Sequence, residues 1–253
     1  MTLYLIGLGL NDEKDVSVKG LEIIKRCDKV YFEDYTSVMQ CSVKDLEKFY
    51  GKEIILANRK QVEENTEKII LEAQQKNIAF LVVGDPFSAT THIELFKTAQ
   101  EHHIPIQIIH NASILTAVGV TGLQLYKFGK VTSLPFPDDN PHAETPYAVL
   151  KDNLKLGLHT LFLLDLRPAQ KVFMTIPEAL EILENIEKRK RLRIISNKTT
   201  VLGCARLGSN DYTIKAGPLE KIKKINFGEP PYCFIIPGKL HFMEEEMINL
   251  FSQ

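Results

Sequence analysis

The chain has 253 residues, of which 44% are hydrophobic and 25% charged, and its formal net charge is −1. These proportions are those of an ordinary globular protein, and the length predicts two domains of roughly 110–140 residues. A net charge near zero gives no global electrostatic reason to bind nucleic acid or an anionic membrane, so we expect neither as a partner.

The four cysteines are scattered along the chain, with no Cys-x-x-Cys pair. Thiols in mostly apolar surroundings favour a reducing cytoplasm over a disulfide framework. The apolar N-terminus MTLYLIGLGL follows no basic segment and is followed by acidic residues. No run of about 18 uninterrupted apolar residues occurs. We therefore expect a cytoplasmic protein with no membrane segment, whose N-terminus forms a first strand.

Strand-like and helix-like segments alternate through the first 110 residues. The predicted strands are Leu3–Leu8, Lys29–Phe32, Glu53–Leu56, Ile78–Val83 and Pro105–Ile109. Helices are predicted to begin at Ser17, at the capping-box pattern Ser42-x-x-Asp45, within VEENTEKIILEAQQK and at Thr91-x-x-Glu94. The fourth strand is apolar throughout, which is typical of a parallel strand covered on both faces. The alternation predicts an α/β domain whose parallel sheet carries helices on both faces.

The stretch NASILTAVGVTGLQLYKFGK is rich in glycine and small residues, which predicts a close-packed helix followed by a crossing segment. We place the domain junction at residues 110–132, so that the predicted domains are 1–110 and 111–253. Beyond it, strands are predicted over Val131–Leu134, Thr160–Leu164, Thr200–Ala205, Asp211–Lys215 and Cys233–Ile236. Helices are predicted over Ile176–Lys190 and Met243–Leu250. The second half is expected to be a mixed-sheet α/β domain.

The glycine-rich stretch IGLGLND ends the first predicted strand, either as a tight turn or as a nucleotide-binding turn. Asp12 occupies the position where a dinucleotide fingerprint needs its third glycine, so the spacing argues against a nicotinamide site. Gly7 and Gly9 still permit close approach of the backbone to an adenosine-type ligand. Glu33 and Asp34 end the second predicted strand, where a ribose-binding acid would lie.

Two polar motifs, VVGDPFSATTH and IHNASILTAVG, follow the fourth and fifth predicted strands. Open parallel sheets bind ligands outside the carboxyl ends of their strands, so Asp85, Asn111 and Ser113 are candidate ligand contacts. The alternative is local: Gly-Asp-Pro forms a turn, Ser88 to Thr91 cap the next helix, and Asn111 or Ser113 is an N-cap. The residues alone leave both interpretations open.

No metal site is predicted, because the seven histidines form no HExxH or other metal-ligand spacing. The densest basic run, Lys188–Arg193, ends a predicted helix, where basic side chains suit the helix dipole. Contact with RNA or with an acidic protein surface is the alternative for this run. No side chain of the motifs is a compelling general base, so the catalytic residue is left unassigned.

The chain resembles the diphthine synthase family, part of the tetrapyrrole-methylase-like superfamily of S-adenosylmethionine-dependent methyltransferases. The resemblance covers essentially the whole chain and rests on seven stretches in the family's order: LYLIGLGLND, VKGLEIIKRCDKVYFEDYTS, FLVVGDPFSATTH, IHNASILTAVGVTGLQLYKFGK, GLHTLFLLDL, CARLGS and FGEPPY. GDPFSATTH together with HNASI is the most discriminating pair. The short chain and its FGEPPY…IIPGKLH ending are more similar to archaeal members than to eukaryotic ones.

The resemblance implies a homodimer of chains with two α/β domains and a ligand cleft between them. It implies methylation of the amino group of the 3-amino-3-carboxypropyl-histidine of elongation factor 2, in diphthamide biosynthesis. The implied cofactor is S-adenosyl-L-methionine, with S-adenosyl-L-homocysteine as the product. The family's cofactor contacts correspond here to Leu10, Asp85, Ser88, Ser113, Ile114, Leu166, Leu207 and Tyr232. The last position is often histidine in the family, so a backbone contact would survive there and an imidazole-specific role would not.

Two other classes of function remain open. A sister methyltransferase acting on a tetrapyrrole or on ribosomal RNA would share the fold, because function lies in the site rather than in the fold. A non-catalytic nucleotide-binding module would need only the glycine-rich turn. The sequence does not determine how many methyl groups are added, or whether a carboxylate ester is formed.

Overall fold

The computed structural model describes residues 1–33, 35–58, 66–89, 92–140 and 144–252. The chain forms two compact units, Met1–Ala117 and Val118–Gln253. Each unit contains its own five-stranded sheet. The predicted domains 1–110 and 111–253 are parts of the chain that would fold independently. That division stays a prediction.

The first unit is built on an all-parallel sheet. Its strands are β1 (Leu3–Gly7), β2 (Lys29–Glu33), β3 (Ile54–Ala57), β4 (Ile78–Val82) and β5 (Ile106–Ile109). Their order is β3-β2-β4-β1-β5, and every neighbouring pair is parallel. Each predicted strand matches its observed bounds within one residue, and the predicted parallel sheet is confirmed. All five side chains of the central strand β4 are buried, which accounts for its uninterrupted apolar sequence.

Two helices of the first unit begin where capping residues predict. They are α1 (Val18–Arg26), α2 (Val43–Tyr50), α3 (Thr66–Ala73), α4 (Ile93–Glu101) and the single turn α5 (Ile114–Ala117). The Ser17 hydroxyl accepts a hydrogen bond from the N–H of Gly20 at 3.1 Å. Ser42 and Asp45 form the predicted capping box at the start of α2. The predicted start of α4 at Thr91 lies outside the described residues.

Alternate residues of β4 face two different hydrophobic layers. Leu81 belongs to a buried cluster with side chains of α1 and α2, whereas Phe80 belongs to a cluster with side chains of α3 and α4. Burying one such side chain stabilises the fold by about 1.5–3 kcal/mol. The helices are thereby held on both faces of the sheet, and the carboxyl ends of its strands lie along one edge.

The second unit is built on a mixed sheet. Its strands are β6 (Thr132–Leu134), β7 (Thr160–Leu164), β8 (Leu166–Arg167), β9 (Val172–Phe173), β10 (Thr200–Ala205), β11 (Thr213–Pro218) and β12 (Tyr232–Ile236). The main sheet has the order β11-β10-β12-β7-β6, while β8 and β9 form a separate hairpin. β6 is parallel to β7, and the remaining pairs are antiparallel. The prediction of a C-terminal mixed sheet is therefore confirmed.

The helices of the second unit include α6 (Thr145–Lys155), α7 (Ile176–Lys190), α8 (Leu219–Ile222) and α9 (Phe242–Leu250). α7 has the predicted bounds, with Pro177 in its first turn and a capping box between Thr175 and Glu178. Its buried face packs into a core that contains Phe162 and Phe234, whose rings stack at 4.4 Å between centroids. None of the helices in the described ranges is long and apolar enough to cross a membrane.

The helix predicted after residue 110 is present but short. α5 is a single turn, and the 3₁₀ turns Val118–Thr121 and Leu125–Lys127 follow it. Gly122 lies between these turns with φ of +81°, and a Cβ on it would be 2.3 Å from Cγ of Met247 in α9. This close approach requires glycine, and its left-handed backbone does not continue a helix.

The predicted strand Asp211–Lys215 is displaced toward the C-terminus, where β11 begins at Thr213. Asp211 belongs instead to the turn before the strand, where its carboxylate accepts hydrogen bonds from the Ser209 hydroxyl at 2.6 Å and from Nε of Arg206 at 3.0 Å. Side-chain bonds of this kind compete with strand pairing and favour turns.

Candidate functional site

Two glycines pair with each other where β1 and β4 end. The N–H of Gly84 donates to the carbonyl of Gly9 at 2.7 Å, and the N–H of Gly9 donates to the carbonyl of Gly84 at 3.2 Å. Their φ angles are +76° and +81°, a conformation that favours glycine. A Cβ on Gly84 would lie 3.7–3.9 Å from atoms of Leu10, Ala112 and Ser113. The glycine-rich turn and both polar motifs therefore meet at the carboxyl edge of the sheet.

Asp15 closes the glycine-rich turn from within. Its Oδ2 accepts the N–H groups of Leu10 at 3.1 Å and of Asn11 at 2.8 Å. A dinucleotide-binding turn would present such N–H groups to a pyrophosphate. Because both groups are already bonded to a carboxylate, the turn is poorly suited to a phosphate. Leu10 itself is half-buried beside this turn.

Glu33 ends β2, where a ribose-binding acid was one interpretation of the sequence. Its side chain has no exposed surface and accepts hydrogen bonds from the N–H and hydroxyl of Thr36 and from the N–H of Val83. Burial raises the pKa of Glu33 to about 7, against the effect of the hydrogen bonds from Thr36. Glu33 is an internal carboxyl group with no surface for a ligand, and Asp34 lies outside the described residues.

Asp85 directly follows the Gly84 turn and is surrounded by donors. Its Oδ1 accepts the N–H of Phe87 at 3.0 Å and the hydroxyl of Ser88 at 3.2 Å. Its Oδ2 lies 2.7 Å from Nδ1 of His110 and accepts the N–H of Asn111 at 3.2 Å. Only 6% of Asp85 is exposed. These four contacts use all the usual acceptor positions of a carboxylate.

The electrostatics of Asp85 favour its ionised form. Burial alone raises the pKa of this carboxyl group, and hydrogen bonds from the backbone of Phe87, from His110 and from the backbone of Asn111 lower it. The net pKa lies below its ordinary value, because several donors stabilise the negative charge. Asp85 is therefore an anion that holds the GDPFS loop and the start of the HNASI motif together.

Asn111 has a structural role in the second motif. Its side-chain amide donates to the carbonyls of Gly7 and Asp15, both at 3.0 Å. Its Oδ1 accepts the N–H of Ala112 at 2.8 Å. Asn111 thus ties the end of β1 and the glycine-rich turn to the segment after β5, and it does not cap α5.

The predicted contacts Ser113 and Ile114 stand at the start of α5. Ser113 is buried, and its carbonyl accepts the first helical N–H groups, whereas Ile114 is half-buried. With the half-buried Ser88, they complete the set that the first unit brings together: Leu10, Asp85, Ser88, Ser113 and Ile114. The predicted capping residues Thr90 and Thr91 lie outside the described residues.

The remaining predicted contacts belong to the second unit. Leu166 is half-buried in β8, and its N–H donates to Asp165. Leu207 is buried just after β10, and Tyr232 is half-buried at the start of β12, with its hydroxyl donating to the carbonyl of Gly228. Tyr232 lines a cavity of about 150 Å³. Drug-sized ligands occupy about 300–1,000 Å³, so this cavity by itself does not hold such a ligand.

Arg206 connects the two segments that carry Leu207 and Tyr232. Its Nη1 donates to the carbonyls of Phe227 at 3.2 Å and Glu229 at 2.5 Å, and its Nη2 donates to the carbonyl of Asp211 at 2.9 Å. Its own N–H donates to the carbonyl of Pro231 at 2.9 Å. A single guanidinium thereby fixes the turn after β10 against the segment before β12.

Sequence reasoning missed three polar residues of these sites, namely Asp15, His110 and Arg206. His110 lies within the IHNASILTAVG motif but was given no role there, and its place directly after a parallel strand was the available signal. Asp15 and Arg206 had no comparable signal, because their partners are backbone groups brought together only by folding. In the described part of the chain, no group of three or more His, Cys, Asp or Glu side chains could hold a metal ion.

The basic run at the end of α7 is partly neutralised. Lys190 Nζ lies 2.6 Å from a carboxylate oxygen of Glu144, and Arg189 lies 3.9 Å from the other. Arg191 and Arg193 both adopt positive φ, at +54° and +57°, beyond the helix end. Exposed pairs such as these contribute little to stability, so the run is a solvated helix terminus with local charge compensation.

The comparisons with known proteins agree along the whole chain. Residues 2–223 match the family model for Tetrapyrrole (Corrin/Porphyrin) Methylases. A diphthine synthase of Methanocaldococcus jannaschii is 47% identical over 250 residues, covering 98% of this chain and 97% of that protein. A diphthine methyl ester synthase of Mus musculus is 43% identical over 270 residues, covering 99% of this chain and 96% of that protein.

The fold agrees as well. A crystal structure of diphthine synthase superimposes with a TM-score of 0.89 at 39% identity, covering 100% of this chain and 96% of the other. Matches of this extent include both units and every segment that carries a predicted contact. The chain therefore belongs to the tetrapyrrole methylase family, within the group that contains the diphthine synthases.

Proposed function

We propose that this protein is an S-adenosylmethionine-dependent methyltransferase of diphthamide biosynthesis. Its substrate is the 3-amino-3-carboxypropyl-histidine of elongation factor 2, and the amino group of that side chain accepts the methyl. The observation that carries the proposal is the end-to-end similarity to a diphthine synthase, at 47% identity over 98% of the chain. Because the match covers the whole chain, including the segments of the site, a shared fold that carries a different site explains it less well.

The residues at the carboxyl edge of the first sheet suit S-adenosylmethionine. Gly84 has no side chain, and a Cβ on it would still lie 3.7 Å or more from its neighbours, while half-buried Leu10 and Ile114 offer apolar surface for a nucleoside. The proposed cofactor contacts are Leu10, Asp85, Ser88, Ser113, Ile114, Leu166, Leu207 and Tyr232. Because four protein donors already occupy the Asp85 carboxylate, its contribution is to fix the loop on which the cofactor lies.

The reaction makes modest chemical demands on the protein. S-adenosylmethionine, when bound, supplies an electrophilic methyl group and the sulfonium leaving group, and an in-line displacement of this kind requires no metal. This chain's residues have to align the two reactants and provide a neutral amine. A rigid edge of glycine turns and hydrogen-bonded loops serves the first requirement, since Asp85, Asp15 and Asn111 fix three segments to one another.

The test is methyl transfer to purified elongation factor 2 that carries the 3-amino-3-carboxypropyl group, followed by intact-mass and fragment mass spectrometry. We expect an added mass of one or more methyl groups on the modified histidine. The number of groups, and whether one is an ester, is read from the same spectra. No added mass on this substrate, with transfer to ribosomal RNA or a tetrapyrrole instead, would show that the protein is a sister methyltransferase. If the protein binds the cofactor but transfers no methyl group to any of these three substrates, it is a non-catalytic binding module.

We also propose that the protein is a cytoplasmic homodimer. All four cysteines are free thiols, as a reducing compartment would maintain. The 3₁₀ turns of the second unit leave Val120, Leu125 and Tyr126 exposed, at 42%, 43% and 81% of their surfaces. Apolar side chains that stay exposed together are typical of contact surfaces.

A further inference from the structure

We propose that His110 is the general base that removes the proton from the substrate amine, with Asp85 as its positioning residue. This inference rests on the proposed function, because it assigns a role in the same methyl transfer. It gives the site a catalytic residue that the sequence motifs left unassigned.

The hydrogen bond between His110 and Asp85 determines which ring nitrogen carries the proton. Nδ1 lies 2.7 Å from Oδ2 of Asp85, which is an ionised acceptor held by two backbone N–H groups and a hydroxyl. Nδ1 therefore donates, and in the neutral imidazole Nε2 keeps its lone pair. This is the arrangement in which a carboxylate orients a histidine base.

The two partners differ sharply in exposure. The side chain of Asp85 is 8% exposed and that of His110 is 70% exposed. Nε2 of His110 has no hydrogen-bond partner among the described residues of the chain. A buried anion thus holds a largely exposed imidazole directly after β5. A substrate amine can approach this nitrogen without displacing a protein contact.

Three other described acidic groups at this edge are already engaged in hydrogen bonds. Asp85 is surrounded by four donors, and Asp15 already accepts two backbone N–H groups. Glu33 is completely buried and bonded to Thr36. Unlike these three carboxyl groups, His110 combines a fixed orientation with high exposure and a ring nitrogen that has no partner among the described residues.

An amine has to lose a proton before each methylation, so a general base is needed for this substrate group. Before each transfer the substrate ammonium gives one proton to Nε2 of His110, which becomes an imidazolium and later releases the proton to water. The freed nitrogen lone pair then forms the N–C bond to the methyl, while the C–S bond breaks and its electron pair remains on sulfur. One proton leaves for every methyl added to nitrogen. A carboxylate, by contrast, attacks without losing a proton and needs no base.

The main variant is His110→Asn, whose amide nitrogen retains a donor near the position of Nδ1 but offers no base. A general base contributes typically 10²–10⁴-fold, so we expect kcat for amine methylation to fall by at least about 10²-fold at pH 7. The ratio of the wild-type rate to the variant rate should shrink as the pH rises, because solvent removes a growing share of the protons in the variant. His102→Asn, an exposed histidine at the end of α4, is the matched control with wild-type kinetics.

Three further measurements separate a base from a structural residue. The affinity of His110→Asn for S-adenosylmethionine, measured by calorimetry, should equal that of the wild type. Added imidazole should restore amine methylation to His110→Gly. Nitrogen-15 NMR of the neutral imidazole of His110 in the wild type should show its proton on Nδ1, and Asp85→Asn should change that tautomer.

Two results would overturn the assignment of His110 as the general base. Wild-type kcat in His110→Asn across the pH range overturns the proposal. So does a loss of activity at every pH that is accompanied by weaker cofactor binding and no rescue by imidazole, because that pattern describes a binding residue. If the wild-type protein itself transfers no methyl to modified elongation factor 2, the proposed function fails instead, and the NMR tautomer still tests the Asp85–His110 pair.

Discussion

Asp85 and Glu33 are two carboxyl groups at the same edge of one sheet, and their pKa values are shifted in opposite directions. Burial opposes ionisation of both. At Asp85 the donors from two backbone N–H groups and from His110 outweigh burial, so its pKa is lowered. At Glu33 burial outweighs the bonds from Thr36, and its pKa rises to about 7. Both carboxylates accept several hydrogen bonds, so the deeper burial of Glu33 and the presence of His110 beside Asp85 account for the difference.

Glu33 therefore predicts a measurable pH dependence of stability. Between pH 4.5, its ordinary pKa, and about pH 7, the unfolded chain has lost this proton while the folded protein keeps it. The free energy of unfolding then falls as the pH rises, by on the order of 3 kcal/mol for this group alone. Glu33→Gln should remove that fall.

The measurement is urea denaturation of the wild type and of Glu33→Gln at several pH values from 4.5 to 7.5. The difference between the two proteins is the relevant quantity, because buried His92, whose pKa burial lowers to about 4, has the opposite slope in the wild type and the variant alike. A difference that does not change with pH would contradict a raised pKa at Glu33.

Asp85 gives a prediction for cofactor binding. Asp85→Ala removes the acceptor that holds Phe87, Ser88, His110 and the backbone of Asn111, and each hydrogen bond to a charged group is worth about 1.5–3 kcal/mol. We expect the affinity for S-adenosylmethionine to fall about tenfold or more, as measured by calorimetry. Glu22→Ala, on the exposed side of α1, serves as the control. Unchanged affinity in Asp85→Ala would remove Asp85 from the proposed site.

At the scale of elements, the ends of strands and the turns beside them carry the proposed site. Gly9 and Gly84 join β1 to β4, Asp85 joins β4 to the segment after β5, and Arg206 joins β10 to β12. Each connection uses backbone carbonyls or N–H groups, which remain available only where a strand stops pairing. The cores beneath the sheets make these ends rigid.

Arg206 provides the prediction at this scale. Its guanidinium is 8% exposed and satisfies three carbonyls, so Arg206→Ala leaves buried acceptors without donors and should cost about 2–4 kcal/mol of unfolding free energy. Arg206→Lys keeps the charge without the fork-shaped donor set. We expect it to lower cofactor affinity more than it lowers stability, since Leu207 and Tyr232 lose their alignment.

Calorimetry and urea denaturation on both Arg206 variants make the comparison, with Lys198→Ala, an exposed basic residue of the same unit, as control. An Arg206→Lys protein with wild-type cofactor affinity would mean that the two segments it joins do not contribute to the cofactor site. Destabilisation in Arg206→Ala would still be expected in that case, because the buried carbonyls lose their donors either way.

At the scale of the whole molecule, the proposed homodimer has a direct test. One chain has a mass of 28.7 kDa. Light scattering coupled to size exclusion should give twice that mass at micromolar concentration, and Tyr126→Lys, on the exposed 3₁₀ turn, should shift the protein toward the single-chain mass. A single-chain mass for the wild type at every concentration would exclude the homodimer.

Helices and strands with strong local sequence patterns could be predicted from the sequence. The apolar run of β4, the capping box of α2 and the proline-led α7 were predicted within one residue, because hydrophobic period and capping chemistry are local properties. In the glycine-rich stretch after residue 110 the predicted helix covers a single turn, because Gly122 lies against Met247 of α9, more than a hundred residues away, and the chain turns there.

The sequence by itself determined the α/β class, the parallel first sheet, the mixed second sheet and the family, all of which depend on patterns of neighbouring residues. Only the tertiary structure decided that Asp85 binds His110, that Asp15 closes the glycine-rich turn, and that Glu33 is buried without a ligand. These facts depend on which strand ends lie side by side and on how deeply each carboxylate is buried. Hydrogen-bond geometry and burial exist only once distant segments have been packed together.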